Sequence, residues 1–215
     1  DHSMEVILQE SDRKIIELIR NAADGLADRV CIAGGWVRDK LLGRSSTDLD
    51  IAISGCTVSA LVDALRQKYH ERISKVIEIK ANATQGKNHP TTRVWIDRSQ
   101  WIDIGEFNGT PEDDAKDRDF TINALLYNIF TGGIEDFVDG LNDLQQGILR
   151  TPVPAEISLG NDPLRILRGA RFISQLGLNA DQSLVDKAKQ LSGEFISKIN
   201  RQRVGVEVIK MVSGD

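Results

Sequence analysis

The 215-residue sequence has no apolar stretch long enough to span a bilayer, which argues against an integral membrane protein. It also lacks the charged-then-apolar leader of secreted proteins. Its two cysteines, Cys31 and Cys56, form no CxxC motif and no Cys/His cluster of the kind that binds zinc. We therefore expect two ordinary thiols in a reducing compartment, and no membrane partner. That compartment is the cytoplasm or, in a eukaryote, also the mitochondria or the nucleus.

The sequence also has no excess of positive charge. Asp and Glu outnumber Lys and Arg by 32 to 27, so the net charge is −5 at pH 7. Because nucleic-acid binding depends on Lys and Arg contacts to phosphate, this balance disfavours a general nucleic-acid binder but leaves room for a local basic stripe. The length and the 40% hydrophobic content suffice for a sizeable core, in one domain or two small ones. The oligomeric state is not defined by the sequence.

Helical and strand patterns alternate over the first 150 residues. Four helices are predicted, at Ser11 to Asp28, Trp36 to Leu42, Thr57 to Tyr69 and Thr110 to about Leu126. All but the second begin with a possible N-cap residue, namely Ser11, Thr57 and Thr110. Strands are predicted at Arg29 to Ala33, Asp48 to Ile53, Lys75 to Lys80, Thr92 to Ile96, Gln100 to Ile104 and Ile134 to Phe137. Later elements are helices, at Asp162 to Leu176, Ser183 to Leu191 and Arg201 to Val212. This division predicts an α/β head over residues 1–150 and an all-helical neck over residues 151–215.

Two acids one residue apart are the first chemical signal. Asp48 and Asp50 flank Leu49 on a predicted strand, so both carboxylates are expected on one face while Leu49 points into the core. Neighbouring carboxylates repel unless a cation lies between them, and hard oxygen ligands suit Mg²⁺. A bare DxD motif is more often a solvated strand edge. The preceding Gly34-Gly35 pair strengthens the metal reading, because glycines let backbone N–H groups approach phosphates closely.

A third acid, Asp103, lies on a later predicted strand between apolar neighbours. An acid among core residues needs a partner, and either a metal ion or an arginine such as Arg93 would serve. Arg38 and Arg44 add positive charge near the glycine pair. We therefore treat Asp48, Asp50 and Asp103 as candidate catalytic acids, the first two as metal ligands.

A row of charges on a predicted helix is the second signal. Asp162, Arg165 and Arg168 are spaced by three, and Arg171 continues the row. The simpler interpretation is a solvated face with an ordinary Asp162–Arg165 ion pair. The functional interpretation is base selection, because a carboxylate only accepts and a guanidinium only donates hydrogen bonds. Cytosine and adenine both offer an amine beside a ring-nitrogen acceptor, whereas uracil and guanine offer the reverse, so one Asp–Arg pair could accept CTP and ATP alone.

In their order and spacing, these blocks resemble the class II tRNA nucleotidyltransferase and poly(A) polymerase family. The resemblance runs from about Val30 to Gly214 and includes further blocks at Gly109 to Ala115, Arg118 to Leu125, Gly133 to Phe137, Arg150 to Pro152 and Arg201 to Glu207. It implies a head of the polymerase-β nucleotidyltransferase type, a mixed sheet with helices, followed by a helical neck. The implied reaction is attack of a tRNA 3′-hydroxyl on the α-phosphate of CTP or ATP, with Mg²⁺ as cofactor.

The resemblance also implies roles for single residues. Asp48 and Asp50 take the metal, Asp119 takes part in ribose discrimination, and Asp162 with Arg165 reads the base. The remaining positions of the implied nucleotide site, mostly near the phosphates, are Gly34, Gly35, Arg38, Arg118, Asn123, Arg168 and Arg171.

The sequence departs from the family pattern at several places. Asp117 replaces the usual first arginine of its block, and Asn161 replaces an acid but is still expected to cap the next helix. The stretch from Asp103 to Gly109 is short where relatives carry a flexible loop that helps switch from C to A addition, so an enzyme without it would add only C. The family's body and tail are expected to be absent beyond Asp215.

We rank CCA addition first, then CC-only or A-only addition, then poly(A) synthesis. The alternative of another class is a non-catalytic module that binds RNA or nucleotides.

Overall fold

The computed structural model describes residues 4–81 and 89–199, with side chains described up to residue 191. The chain forms two compact units, which are treated separately below. The first comprises residues 1–82, 87–114 and 125–136, and the second comprises residues 83–86, 115–124 and 137–215. The helix predicted from Arg201 to Val212 lies outside the described residues. The predicted boundary between head and neck at residue 150 remains a prediction.

A seven-stranded mixed sheet forms the centre of the first unit. Its strand order is β3-β4-β5-β2-β1-β6-β7, and β2 runs parallel to β5 while the other neighbours are antiparallel. The strands are β1 Arg29–Ala33, β2 Leu49–Ser54, β3 Ile73–Ile79, β4 Thr91–Ile96, β5 Gln100–Glu106, β6 Leu126–Asn128 and β7 Ile134–Glu135. The helices of this unit are α1 Glu10–Ala23, α2 Gly35–Leu41, α3 Val58–Lys68 and the start of α4 Pro111–Lys116. This arrangement confirms the predicted mixed sheet with helices.

Strand alternation divides the sheet into two faces. Leu49 and Ile51 on β2, with Ile102 and Ile104 on β5, are at most 3% exposed and form the core face. The intervening residues of these strands face the other side, because successive side chains of a strand alternate. The acids predicted for catalysis occur in this second set. The burial of apolar residues on one face therefore determines where the charged residues point.

Helix ends were predicted with mixed success. Thr57 caps α3 as expected, since its hydroxyl accepts from the Ala60 N–H at 3.1 Å. The Ser11 cap is wrong: α1 begins at Glu10, and the carboxylate of Asp12 accepts from the Gln9 N–H at 2.8 Å instead. An ionised carboxylate at the start of a helix is a stronger acceptor than a serine hydroxyl and also matches the helix dipole.

The helix predicted from Thr110 to Leu126 is also wrong in its extent. Its start is confirmed, because the Thr110 hydroxyl accepts from the Asp113 N–H at 3.1 Å, but α4 ends at Lys116. A 3₁₀ turn follows at Thr121–Asn123, and then β6 begins. The carbonyl of Asp117 accepts from Arg165, and the carboxylate of Asp119 accepts from its neighbour's N–H. These contacts replace the hydrogen bonds that a continuing helix would have made.

The second unit is mainly helical. Its elements are α5 Gly140–Gln146, β8 Ile148–Leu149, α6 Ala155–Asn161, α7 Arg165–Leu176, β9 Asn179–Ala180 and α8 Gln182–Ile199. The two short strands pair in parallel. The predicted helix from Asp162 onward begins three residues later than expected, and α6 was not predicted. Asn161 ends α6 and does not cap α7.

A proline explains this break. Asp162 is extended, with φ −149° and ψ 95°, and the next residue is Pro163. Proline disfavours helical backbone at the residue before it and has no N–H to continue the helix. Asp162 therefore ends α6, and α7 begins at Arg165.

Candidate active site

The two neighbouring acids lie on the face of the sheet opposite the core. Asp48 is exposed and directly precedes β2, and Asp50 is half-buried within it, whereas Leu49 between them is 3% exposed. Both carboxylates act on one cation: the charges of Asp48 and Asp50 contribute to raising the pKa of Arg93 on β4. The alternation predicted for this segment is therefore confirmed, and both acids lie within electrostatic reach of a single guanidinium.

Asp103 is buried beside them. It lies opposite Asp50 on the parallel neighbour β5 and opposite Arg93 on β4. The Arg93 guanidinium binds its carboxylate in a two-pronged ion pair, with Nε to Oδ1 at 2.8 Å and Nη2 to Oδ2 at 3.1 Å, and lies 4.9 Å from the centre of the Trp101 ring. The hydrogen bond to Asp103 is the largest cause of the raised pKa of Arg93, followed by opposing desolvation and then by carboxylate charge. An arginine is thus a partner of this buried acid, as one of the two alternatives considered above expected.

The acids of this face fit a divalent cation bound through two of them. Asp48 and Asp50 offer hard carboxylate oxygens, on an exposed and a half-buried side chain respectively. Across the part of the chain that the structure describes, no group of three or more His, Cys, Asp or Glu residues could hold a metal. Since Arg93 already binds Asp103, the set suits an ion that takes its remaining ligands from water or phosphate.

The glycine pair lies next to the acid pair because Ala33, the last residue of β1, is opposite Asp50. Gly34 has φ 75° and ψ −152°, a conformation that side chains disfavour. A Cβ on Gly35 would lie 2.8 Å from Nη2 of Arg38, so the end of that side chain would have to move. Arg38 in turn donates from Nε to Asp39 at 3.0 Å. The lack of side chains at both glycines thus keeps backbone near Asp50 and lets Arg38 fold back over the start of α2.

In the second unit, Asp119 is the centre of a hydrogen-bond network. It is 7% exposed, and its Oδ1 accepts from the Phe120 N–H at 2.7 Å and from Asn123 Nδ2 at 3.1 Å. Its Oδ2 accepts from Nε and Nη2 of Arg168 at 2.9 and 2.8 Å. The Arg168 guanidinium also lies 5.3 Å from the centre of the Phe172 ring. The fold thus brings Arg168 to Asp119, 49 residues earlier, and to Asn123 beside it, while Arg118 is half-buried and Arg171 exposed.

Asp162 and Arg165, the candidate base-reading pair, have an anchor that the sequence did not indicate. Arg165 is 4% exposed and donates from Nη1 to the hydroxyl of Ser158 at 3.0 Å and from Nη2 to the carbonyl of Asp117 at 2.6 Å. Asp162 precedes α7 and accepts from the Leu164 N–H at 3.1 Å. The expectation of a continuous helical row from Asp162 is therefore wrong, although Arg165 and Arg168 do share α7. Ser158 was missed because a lone serine in an unpredicted helix gives no signal.

Fold and acid geometry together define a nucleotidyltransferase head of the polymerase-β type. Residues 30–150, more than half of the chain, match the poly A polymerase head domain family, and the chain belongs to that family. No helix among residues 4–81 and 89–199 has the length and apolarity needed to cross a membrane.

Individual relatives have more specific names. The chain is 39% identical over 207 residues to a mitochondrial CCA tRNA nucleotidyltransferase of Saccharomyces cerevisiae, covering 85% of this chain and 38% of that protein. It is 36% identical over 184 residues to a CC-adding tRNA nucleotidyltransferase of Shouchella clausii, covering 85% and 44%. A solved structure of the Thermotoga maritima CCA-adding enzyme complexed with tRNA superposes with a TM-score of 0.74 at 22% identity, covering 96% and 51%. The chain thus spans about half the length of these proteins or less.

Proposed function

We propose that the protein adds C and A nucleotides to the 3′ end of tRNA, from CTP and ATP and without a nucleic-acid template. The observation that carries the proposal is the pair Asp48 and Asp50 at the start of β2, beside the Gly34-Gly35 turn and in register with Asp103. Membership of the poly A polymerase head domain family supports it, as do the names of the relatives. In the reaction, the tRNA 3′-oxygen bonds to the α-phosphorus, and pyrophosphate leaves.

Asp48 and Asp50 would hold a divalent cation, for which we propose Mg²⁺. When bound, the ion supplies positive charge to triphosphate oxygens and to the departing pyrophosphate. Asp103 completes an acidic face that consists of Asp48, Asp50 and Asp103, and its ion pair with Arg93 holds it in position. We assign the triphosphate to the Gly34-Gly35 backbone and to four arginines, namely Arg38, Arg118, Arg168 and Arg171.

We assign the sugar and the base to the second unit. Asp119, held by Asn123 and Arg168, takes part in ribose recognition. Asp162 accepts from the exocyclic amine of cytosine or adenine, and Arg165 donates to the adjacent ring nitrogen. Uracil and guanine would set carbonyl against carboxylate and N–H against guanidinium, so both contacts would become repulsive.

A tRNA lacking its CCA end, incubated with labelled CTP and ATP and Mg²⁺, tests the proposal. We expect incorporation of both nucleotides, and sequencing of the product would distinguish CCA, CC, A and poly(A) ends. Tight CTP binding without incorporation at any protein concentration would favour the alternative of a non-catalytic module that binds nucleotide or RNA.

CC-only addition is the second candidate, and one observation favours it. Four residues, 107–110, connect β5 to α4, which leaves no room for a long flexible loop. If A is never added to a tRNA that already ends in CC, this candidate replaces CCA addition.

We place the protein in the cytoplasm, or in the mitochondria or nucleus of a eukaryote, where immature tRNA is present.

A further inference from the structure

Ser158 on α6 contacts both members of the base-reading pair. It is completely buried, with 0% exposure. Its hydroxyl accepts from Nη1 of Arg165 at 3.0 Å, and its carbonyl accepts from the same nitrogen at 3.3 Å. That carbonyl also accepts from the backbone N–H of Asp162 at 3.4 Å. One residue therefore links the acceptor and the donor of the pair.

The hydrogen-bonding capacity of Arg165 shows what this anchoring achieves. A guanidinium has five N–H groups. The contacts to Ser158 occupy Nη1, and the Asp117 carbonyl takes one hydrogen of Nη2 at 2.6 Å. Nε–H and one Nη2–H remain to donate to a base. The orientation of the guanidinium, and hence the direction of those remaining donors, is set by Ser158 and Asp117.

A freely rotating arginine would discriminate poorly, because it could turn away from the N–H of uracil and avoid the repulsion. Fixing the guanidinium makes that repulsion unavoidable, since a buried polar group without a partner is costly. We infer that Ser158 is a positioning residue that enforces base choice by locking Arg165. This inference rests on the proposed function and deepens it, since Ser158 itself does not contact the nucleotide.

The ratio of kcat/KM for CTP to that for UTP is the quantity to measure, with the full-length protein and a tRNA lacking CCA. Ser158→Ala removes the hydroxyl acceptor, and we expect the ratio to fall about tenfold, the effect of one hydrogen bond to a charged group. Most of the change should come from faster use of UTP, because the lost contact restrains Arg165 and does not touch CTP. Ser158→Thr keeps the hydroxyl and should restore the ratio.

Thr151→Val is the matched control. Thr151 is also buried, at 7% exposure, and its hydroxyl donates to the Val153 carbonyl at 2.6 Å in the same unit, whereas the side chain of Arg165 donates to Ser158 and Asp117. It should lower the melting temperature about as much as Ser158→Ala while leaving the CTP/UTP ratio unchanged. Ser158→Cys fills the same space with a weak acceptor and should give an intermediate ratio, so the test survives if the alanine variant folds poorly.

An unchanged ratio in folded Ser158→Ala and Ser158→Cys, with normal CTP addition by the wild type, would overturn the positioning role alone. An equal drop in the ratio for Thr151→Val would also overturn it, because the effect would then be one of general destabilisation. If the wild type incorporates neither CTP nor ATP, the proposed function fails and the inference fails with it.

Discussion

The acidic face of the first unit and the candidate base-reading pair of the second, Asp162 and Arg165, are positioned in different ways. Asp48 and Asp50 are placed by the alternation of one strand, whose apolar neighbours Leu49 and Ile51 are buried. Arg165 is placed by Ser158, seven residues away, and by Asp117, 48 residues away. Local periodicity thus suffices to position the candidate metal ligands, whereas contacts distant in sequence orient the candidate base reader.

If the acidic face is the chemical centre, its loss should have the largest effect. Asp48→Ala and Asp50→Ala should each lower single-turnover incorporation by about a thousandfold or more, because the charge that holds the cation is removed. CTP binding, measured by titration calorimetry, should only weaken. Asp63→Ala, an exposed acid on α3, is the control and should keep full activity. Retained transfer in either variant would remove the acid pair from the mechanism.

Substitution in the candidate base-reading pair should change nucleotide selectivity more than it changes the rate of addition. Arg165→Ala should lower the preference for CTP over UTP by about 100-fold, since both the attraction to cytosine and the repulsion of uracil are lost. The rate with CTP should fall less than the preference does. Competition between labelled CTP and UTP measures this directly. If UTP incorporation stays negligible, the protein does not select bases through this pair.

The free energy of unfolding should distinguish the buried ion pair of the acidic face from an exposed ion pair at the ends of β3 and β4. Arg93→Gln removes the guanidinium that pairs with Asp103, whose side chain is 4% exposed, and should lower the free energy of unfolding by about 2 to 3 kcal/mol. Arg72→Gln breaks a similar two-pronged pair with Asp97, but those side chains are 41% and 51% exposed, so its effect should be under about 1 kcal/mol. Urea denaturation would compare the two variants. Equal losses would show that burial of Asp103 does not determine the stability of this face.

The smallest expected effect is a pH dependence of the exposed pair. The hydrogen bond from Arg72 holds the pKa of Asp97 below its ordinary value. A carboxyl with a lowered folded-state pKa stabilises above its unfolded pKa, about 3.9, and loses that contribution as pH falls through the folded pKa. The melting temperature of Asp97→Asn should therefore lie slightly below that of the wild type at pH 7, and the difference should shrink as the pH falls through the folded-state pKa of Asp97. A constant difference would mean that the pair's charge is irrelevant.

Short-range features of the fold followed from the sequence. Strand β1 has the predicted bounds, Thr57 caps α3 as expected, and the acid pair lies beside Gly34. Each of these depends on residues a few positions apart, where periodicity and capping chemistry operate. The family resemblance predicted the fold of the head, and the match over residues 30–150 to the poly A polymerase head domain family confirms it.

The errors arose where distant residues compete with local propensity. The helix from Thr110 stops at Lys116 because Asp117 and Asp119 bind α7 residues instead of continuing the helix. Pairing of Asp103 with Arg93 could only be stated as one of two alternatives, because strand order is not visible in the sequence. Ser158 gave no signal, since its importance comes from a partner that the fold brings to it.

The break at Pro163 has a consequence for redesign. Asp162 lies in the break that follows α6 and Arg165 opens α7, so the two residues of the candidate base-reading pair do not share one helix. A change in the angle between α6 and α7 would move Asp162 relative to Arg165 without altering either side chain. Engineering a new nucleotide preference should therefore begin with the geometry of that break, before the chemistry of Asp162 and Arg165 is changed.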